Sequence, residues 1–166
     1  MIDSAKVFEK LSEKFGKKVL GTALFHGEPL ARVDKSTCHA VLAFLKEDSE
    51  LSYNMLIELF PVDYMGETPR FEMVYMLRST DHNGRVWIKT RVDEDGIDTV
   101  SDLWDSANWF EREAFDMFGI RFKSHPDLRR IYTDDDFEGF PLRKDFDVLG
   151  KDFDKPFNPN IDVVKE

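Results

Sequence analysis

The chain has 166 residues, a formal net charge of -10 at pH 7 and 42% hydrophobic residues, an apolar content that supports a packed core and excludes a globally disordered chain. Nucleic acids and anionic membrane surfaces repel so acidic a protein, so neither is expected as its main partner. The single cysteine, Cys38, excludes disulfide frameworks and cysteine-ligated zinc or iron–sulfur sites within this chain alone.

The N-terminal part of the chain predicts two helices with a strand between them. Asp3 or Ser4 can cap the first helix, whose apolar residues share one face, and Gly16 can end it. Residues 19–25 predict a short strand. Ser36 can cap the second helix, which carries apolar residues, among them the cysteine, at helical spacing.

Three strand patterns follow in the middle of the chain. Residues 53–60 are largely apolar, whereas residues 71–78 and 85–92 show an alternation of period two. An Asn-Gly pair at 83–84 separates the last two patterns and is a strong hairpin signal. These patterns predict an antiparallel sheet with one buried face and one more basic face, which is exposed or covered by a partner. The basic face carries Arg85, Lys89 and Arg91.

The last third of the chain begins with helix signals and then loses its periodicity. Ser101 can cap a short helix through Trp104, and a further helix is predicted over 106–118 with Gly119 at its end. After Phe122 neither a helical nor a strand period recurs, yet aromatic residues and prolines remain frequent. Disordered tails are poor in aromatics. A segment of this kind, without a pattern for folding on itself, is typical of an arm that lies along another protein.

Together these patterns predict an α+β fold, in which an antiparallel or mixed sheet packs with helices and is followed by an extended C-terminal arm. The predicted boundaries are 1–122 for the α+β body and 123–166 for the partner-binding arm. The N-terminus has no apolar h-region, and no apolar run approaches the length of a membrane span. We therefore expect a soluble, intracellular protein that meets a membrane only through partners.

The predicted helix at 106–118 carries a dense charge motif, Glu111-Arg112-Glu113 with Asp116. Arg112 and Asp116 lie one turn apart and can pair, which on a solvated helix face contributes at most about 1 kcal/mol. The many aromatic residues of this stretch indicate instead a helix buried on several sides, where charges need partners. We therefore predict an ionic network between helix and arm. Its candidate partners in the arm are Arg129, Arg130, Arg143 and Lys144.

Signals for independent chemistry are weak. Asp134-Asp135-Asp136 has the composition of a divalent metal site, but adjacent carboxylates diverge along a strand or around a helix, so a turn or capping cluster is favoured. The histidines are scattered, and only His125, which precedes Pro126, is expected to act, as a hydrogen-bonding anchor. No nucleophile-elbow, dinucleotide or phosphate-loop motif occurs. We expect no catalytic, cofactor-binding or metal-binding residue in this chain.

The C-terminal motifs resemble the 30 kDa subunit family of the respiratory NADH–quinone oxidoreductase (complex I). The resemblance rests on WFERE at 109–113, FGI at 118–120, HPDLRRI at 125–131 and EGFPLRKD at 138–145, with Asp116 between the first two runs. It implies that this motif binds partner subunits. The residues concerned are Trp109, Glu111, Arg112, Glu113, Asp116, His125, Pro126, Leu128, Arg129, Arg130, Gly139, Pro141, Leu142, Arg143, Lys144 and Asp145.

The resemblance also implies a peripheral-arm subunit that carries no cofactor of its own. In that family the complex passes electrons from NADH through flavin mononucleotide (FMN) and iron–sulfur clusters to quinone and couples this to proton translocation. These cofactors lie on partner subunits. The chief expected partner is the homologue of a hydrogenase large subunit, which helps to form the quinone pocket. The expected location is peripheral, on the cytoplasmic face of the bacterial inner membrane.

Two other functions stay open at this point. Related subunits occur in membrane-bound hydrogenases, and the neighbouring subunits distinguish such a complex from an NADH-oxidising one. A free-standing acidic metal-dependent hydrolase using residues 134–136 is the alternative from a different class. It predicts Mg²⁺-dependent activity that Asp136→Asn abolishes, whereas an inert purified chain would exclude it.

Overall fold

The chain forms a two-layer α+β fold in the computed structural model, which describes residues 3–147. Among these residues, three helices pack on one face of a five-stranded sheet and share a core with it. The helices are α1 (Ser4–Phe15), α2 (Cys38–Glu47) and α3 (Asp105–Phe118). The strands of the sheet are β1 (Val19–Phe25), β2 (Glu28–Val33), β3 (Met55–Asp63), β4 (Phe71–Ser79) and β5 (Gly84–Val92). Two short strands, β6 (Ile97–Asp98) and β7 (Phe122–Lys123), form a separate parallel pair.

The sheet is mixed, with the strand order β1-β2-β5-β4-β3. Strands β3, β4 and β5 form an antiparallel meander, and β1 and β2 form a hairpin. The parallel pairing of β2 with β5 joins the hairpin to the meander. The predicted α+β class and the mixed sheet are confirmed. The sequence patterns missed β2, because Pro29 and Arg32 interrupt its apolar run.

Local hydrogen bonds set the helix ends. The side chain of Asp3 accepts a backbone N–H of the first turn at 3.0 Å and caps α1 as predicted. The predicted cap before α2 is wrong, because Asp34 accepts the N–H of Ser36 at 2.9 Å and a short 3-10 turn then leads into the helix. Residues 101–103 form a turn rather than the predicted short helix, and Trp104 directly precedes α3.

The two faces of the sheet differ in character. Phe71, Tyr75 and Ile88 lie on the face toward the helices and are fully buried. On the opposite face each basic residue of β5 has a carboxylate partner. Arg85 lies 3.2 Å from Glu28, Lys89 lies 3.0 Å from Glu72, and Arg91 pairs with Glu67. The prediction of a more basic face is therefore wrong, because glutamates outside β5 balance the charge.

Residues 124–147, which we name the proximal arm, contain no helix or strand and lie on the surface of the same chain. The expectation that this segment has no means of folding on its own chain is wrong for these residues. Polar side chains hold it, so no hydrophobic period announces the contact. The boundary between residues 122 and 123 stays a prediction, and the rest of the predicted arm, 148–166, lies outside the described residues.

Candidate functional site

The residues of the C-terminal motif gather along α3 and the proximal arm. They divide by exposure into two groups. The buried or half-buried group consists of Glu111, Arg112, Asp116, His125, Leu128, Arg130, Gly139, Pro141 and Arg143. The exposed group consists of Trp109, Glu113, Pro126, Arg129, Leu142, Lys144 and Asp145. The motif thus supplies both an internal fastening and an outer surface.

The side chain of Asp116 is the main anchor between α3 and the proximal arm. It is fully buried, and its Oδ2 accepts the backbone N–H groups of residues 131–133 at 2.9, 2.7 and 3.1 Å. Burial alone raises the pKa of Asp116, but the Thr133 hydroxyl and these three N–H groups lower it more, so the pKa lies well below its ordinary range. The carboxylate therefore stays charged and fixes the backbone of the arm.

Arg130 supplies the positive charge beside Asp116. Its Nη1 lies 2.8 Å from Oδ1 of Asp116, and its Nη2 donates to the carbonyl groups of Phe137 and Gly139 at 3.1 Å each. The guanidinium also lies over the rings of Phe137 and Phe140, 5.8 and 5.3 Å from their centroids. The predicted ionic link between helix and arm is confirmed at this pair.

The predicted pairing of Arg112 with Asp116 does not form. Arg112 turns toward the proximal arm, where its Nε and Nη2 donate to the carbonyl groups of Arg129 and Arg130 at 3.1 and 3.4 Å. Its guanidinium stacks on Trp109, 4.8 Å from the ring centroid. The reason is position: Asp116 points into the interior, where the arm satisfies it, whereas Arg112 is half-buried at the surface.

Glu111 is a buried carboxylate that the predicted ionic network does not reach. Its side chain is 0% exposed, Oε1 accepts the N–H of Val100 at 2.7 Å, and Oε2 accepts the hydroxyl of Thr99. Within the described part of the chain it has no lysine or arginine partner. Burial raises the pKa of Glu111 to about 7, and the two donors offset this only in part.

His125 fixes the start of the proximal arm through both ring nitrogens, as predicted for a hydrogen-bonding anchor. Its Nδ1 accepts the N–H of Asp127 at 3.0 Å, and its Nε2 lies 3.2 Å from the carbonyl oxygen of Asn108. A carbonyl only accepts, so Nε2 carries the proton and Nδ1 carries none. Burial lowers the pKa of His125, so its approach to Glu111 at 3.9 Å is not an ion pair.

Replacing Glu111 by glutamine should remove a pH dependence of stability. The pKa of Glu111 is raised from 4.5 to about 7 in the folded protein, so the folded state holds this proton more tightly than the unfolded chain. The stabilisation is fully present below pH 4.5 and is lost as the pH rises through 7. Relative to Glu111→Gln, the unchanged protein should lose on the order of 3 kcal/mol over this window.

Urea denaturation of both proteins from pH 4.5 to pH 8 measures this difference. The titration of other groups, including His125, is common to both proteins and cancels in the comparison. A difference that stays constant over the whole range would show that Glu111 titrates as an ordinary carboxylate.

Arg143 holds the proximal arm against the end of α3. Its Nε donates to the carbonyl of Phe118 at 2.6 Å, and its Nη1 pairs with Glu94 at 2.7 Å rather than with a carboxylate of the helix, as predicted. The guanidinium lies over the Phe140 ring, 4.4 Å from its centroid. Gly119 ends α3 with φ +75°, and a Cβ at this position would collide with Nη2 of Arg143. A side chain at 119 would therefore displace the arm.

Replacing Gly119 by alanine should lower the free energy of unfolding by about 2–4 kcal/mol, since left-handed backbone strain adds to the displacement of Arg143 and Phe140. Gly66→Ala is the matched control, because Gly66 has φ +91° but nothing within 4 Å of an added Cβ. Chemical denaturation of both variants separates the two contributions. Equal losses in the two variants would mean that the arm yields freely at Gly119.

Arg70 holds the last described residues of the proximal arm. Its Nε and Nη2 bond to Asp63 at 2.8 and 2.7 Å, and its Nη1 and Nη2 bond to Asp145 at 3.0 and 2.7 Å. Asp63 also accepts the backbone N–H of Lys144 at 2.9 Å. The Arg70 side chain lowers the pKa of Asp63 more than burial raises it. Sequence reasoning missed Asp63 and Arg70, because they are remote from the arm in sequence and belong to no motif.

An exposed aromatic and cationic patch lies beside α3. Trp109 is 61% and Tyr132 is 69% exposed, and Arg112 links them because it stacks on Trp109 and bonds to the backbone next to Tyr132. Arg129 is also exposed and pairs with Asp127 at 2.7 Å. Tryptophan, tyrosine and arginine are the residue types enriched at interface hot spots. We name this patch, formed by Trp109, Arg112, Arg129 and Tyr132, the Trp109 surface.

The candidates for independent chemistry are not assembled into a site in the described residues. Between residues 3 and 147 no group of three or more His, Cys, Asp or Glu side chains is placed to hold a metal ion. The carboxylates at 134–136 are all exposed. Cys38 is buried, and burial raises its pKa to about 12, which keeps the thiol unreactive. Over the same residues, no helix has the length and apolar character that crossing a membrane requires.

Comparison with known proteins gives one consistent family. Residues 31–152 match the family described as "Respiratory-chain NADH dehydrogenase, 30 Kd subunit". An NADH-quinone oxidoreductase subunit of Geotalea uraniireducens (strain Rf4) is 46% identical over 154 residues, which cover 92% of this chain and 93% of the relative. A subunit of the same name from Rhizobium etli (strain CIAT 652) is 47% identical over 151 residues, covering 89% and 80%.

Two solved structures are similar to the whole fold. The trypsin-resistant fragment (1–134) of Nqo5 superposes with a TM-score of 0.62 at 28% identity and covers 75% of this chain and 98% of its own. A chain of the membrane-bound sulfane sulfur reductase, an archaeal respiratory membrane complex, superposes with a TM-score of 0.72 at 25% identity, covering 87% and 86%. The similarity therefore extends well beyond the C-terminal motif.

Proposed function

Because the chain belongs to the 30 kDa subunit family of the respiratory-chain NADH dehydrogenase, we propose that it is a non-catalytic peripheral-arm subunit of a proton-translocating NADH:quinone oxidoreductase. The observation that carries the proposal is the family match over residues 31–152, which includes the entire proximal arm. In this role the chain scaffolds the subunits that form the quinone site and hold the iron–sulfur clusters. FMN and the clusters lie on those partners, and this chain binds neither.

The chief partner in this proposal is the homologue of a hydrogenase large subunit. The complex lies at the cytoplasmic face of the bacterial inner membrane, and the chain attaches to it peripherally through its partners. Two features support such a scaffold. Asp116, Arg143 and Arg70 fix the proximal arm at three separate points, so its outward residues hold one arrangement before a partner arrives. The Trp109 surface then offers the residue types that anchor interfaces.

An affinity purification of the tagged chain from native membranes, with mass spectrometry of the recovered subunits, tests the proposal. Recovery of the flavin-containing and iron–sulfur subunits of an NADH dehydrogenase is the expected result. Recovery of the chain alone, with Mg²⁺-dependent hydrolase activity that Asp136→Asn removes, would replace the scaffold by the independent enzyme considered from the sequence.

Replacing Trp109 by alanine is expected to weaken the interface roughly tenfold or more, as loss of a hot-spot tryptophan does. Because Trp109 is 61% exposed, the melting temperature of the isolated chain should change little. Met55→Ala is the control, since Met55 is 47% exposed at the far end of β3 and lies outside the Trp109 surface. Quantitative recovery of partner subunits measures the effect, and equal recovery with both variants would remove Trp109 from the interface.

A second candidate function is the equivalent subunit of a membrane complex with another electron donor or acceptor. The observation that favours it is the TM-score of 0.72 with a chain of the archaeal sulfane sulfur reductase complex. The same purification distinguishes the two functions. Subunits that bind NADH and flavin support the first, whereas a nickel-site subunit in their place supports a hydrogenase-type complex.

A further inference from the structure

The edge strand β1 is exposed along almost its whole length, although most of its side chains are apolar. Leu20 is 65%, Leu24 is 62% and Phe25 is 44% exposed, whereas only Val19 is half-buried. In the neighbouring strand β2, by contrast, Leu30 is buried. The edge therefore joins the sheet on one side and leaves an apolar ribbon on the other.

The opposite edge of the sheet, β3, is protected in the ways that natural edge strands usually are. It contains Pro61 and the exposed Glu58, and α3 and the proximal arm cover parts of it. The hydroxyl of Ser106 donates to the carbonyl of β3 residue Leu56 at 3.4 Å, and the arm bonds to Asp63 at its end. Residues 19–25 contain neither a charge nor a proline, so β1 lacks this protection apart from a bulge at its start.

The backbone of β1 points hydrogen-bonding groups away from the sheet. His26 and Gly27 form a two-residue hairpin turn, both with positive φ, so Phe25 and Glu28 are the hydrogen-bonded pair next to the turn. Alternation along the ladder then directs the N–H and C=O groups of Thr22 and Leu24 outward. Leu24 lies opposite Pro29, which has no N–H to donate, in agreement with this register.

The charge around β1 differs from that of the rest of the protein. Residues 14–27 contain three lysines and no carboxylate, although the chain carries a net charge of -10. Lys14 lies over the Phe44 ring, and Lys18 lies 3.3 Å from Asp34. Lys17, at the start of the edge, has no carboxylate partner among residues 3–147. The ribbon is therefore apolar and has a free positive charge at one end.

We propose that β1 is a docking edge at which an extended segment of a different subunit adds a sixth strand to the sheet. The added strand pairs with the outward groups of Thr22 and Leu24, places apolar side chains beside Leu24 and Phe25, and has a carboxylate next to Lys17. A second copy of this chain fits less well, because pairing β1 with β1 supplies no carboxylate for Lys17. This edge precedes residue 31, where the family match begins, and is distinct from the Trp109 surface.

Photo-crosslinking in the intact complex tests the proposal. Replacing Leu24 by p-benzoylphenylalanine in the full tagged chain, followed by illumination of native membranes, should give an adduct with one peptide of a different subunit. That peptide should be apolar in alternation and contain Asp or Glu within a few residues of the site opposite Lys17. The same probe at Glu13, exposed on α1, should not give this adduct. An adduct with a second copy of this chain, or no adduct at Leu24, would overturn the proposal.

Two matched pairs of variants test the backbone and the charge separately. Thr22→Pro removes an outward N–H and should lower the adduct yield at least tenfold, whereas Thr22→Val keeps the N–H and should retain it. Lys17→Glu should lower the yield, and Lys17→Arg should retain it. An unchanged melting temperature shows that each variant is folded. The subunits recovered with the tagged chain report on the proposed function independently, because they are identified whether or not the adduct forms.

Discussion

Replacing Asp116 by asparagine is expected to lower the free energy of unfolding by about 3–5 kcal/mol and to release the proximal arm from α3. The buried carboxylate accepts the N–H groups of residues 131–133 and pairs with Arg130 at 2.8 Å. An asparagine side chain has one acceptor and turns an N–H₂ group toward these donors. Arg130, whose side chain is only 15% exposed, would then keep its charge without its partner.

Urea denaturation measures the loss, and limited trypsin digestion detects release of the arm by cleavage after Arg129 or Arg130. Asp136→Asn is the control, since Asp136 is exposed on the same arm. The lowered pKa of Asp116 gives the pH dependence its sign: the stabilisation is present above the ordinary carboxyl pKa of about 3.9 and is lost as the pH falls toward the folded value. An Asp116→Asn protein as stable and as trypsin-resistant as the control would reject the anchor.

Replacing Arg70 by methionine should cost a similar amount, about 3–5 kcal/mol, because it leaves Asp63 buried without its cation. The Asp63 side chain is 2% exposed, and Arg70 is bidentate to it and to Asp145. Loss of Arg70 also frees the chain at Asp145. The expected signs are a lower urea midpoint and new proteolysis near Lys144.

A double variant makes this prediction sharper. Removing both buried partners in Arg70→Met/Asp63→Asn should cost less than Arg70→Met alone, because no uncompensated charge then remains. Arg70→Lys should fall between the unchanged protein and Arg70→Met, since an ammonium keeps the charge but cannot bind two carboxylates with paired donors. Strictly additive losses in the double variant would indicate that Asp63 is solvated without Arg70.

The sequence indicated the elements of this fold better than it indicated their fastening. Helix α3 and its end at Gly119 followed from local pattern, and the β4–β5 hairpin followed from the Asn-Gly pair. Both depend on chain neighbours, which a sequence shows directly. The strand β2 was missed because its burial comes from β5 and α1, whereas its own Pro29 and Arg32 suggest a loop.

The roles of the charged residues could be foreseen only in part. The pattern indicated that the carboxylates of α3 need partners, and Arg130 is one of them. It gave no sign that backbone N–H groups would satisfy Glu111 and most of Asp116, since every residue except proline carries the same N–H. The link of Arg70 to Asp145 spans 75 positions, so its prediction requires the tertiary fold.

That long span has a consequence for the order of events while the protein is being made. Chains fold from the N-terminus as they leave the ribosome, and Asp63 and Arg70 are made early and can pair with each other at once. Asp116 must wait for residues 131–133 to emerge, and Arg70 gains Asp145 only later. Each cotranslational intermediate thus lacks specific hydrogen-bond donors, so nascent chains stalled before residue 131 should be preferred substrates of chaperones.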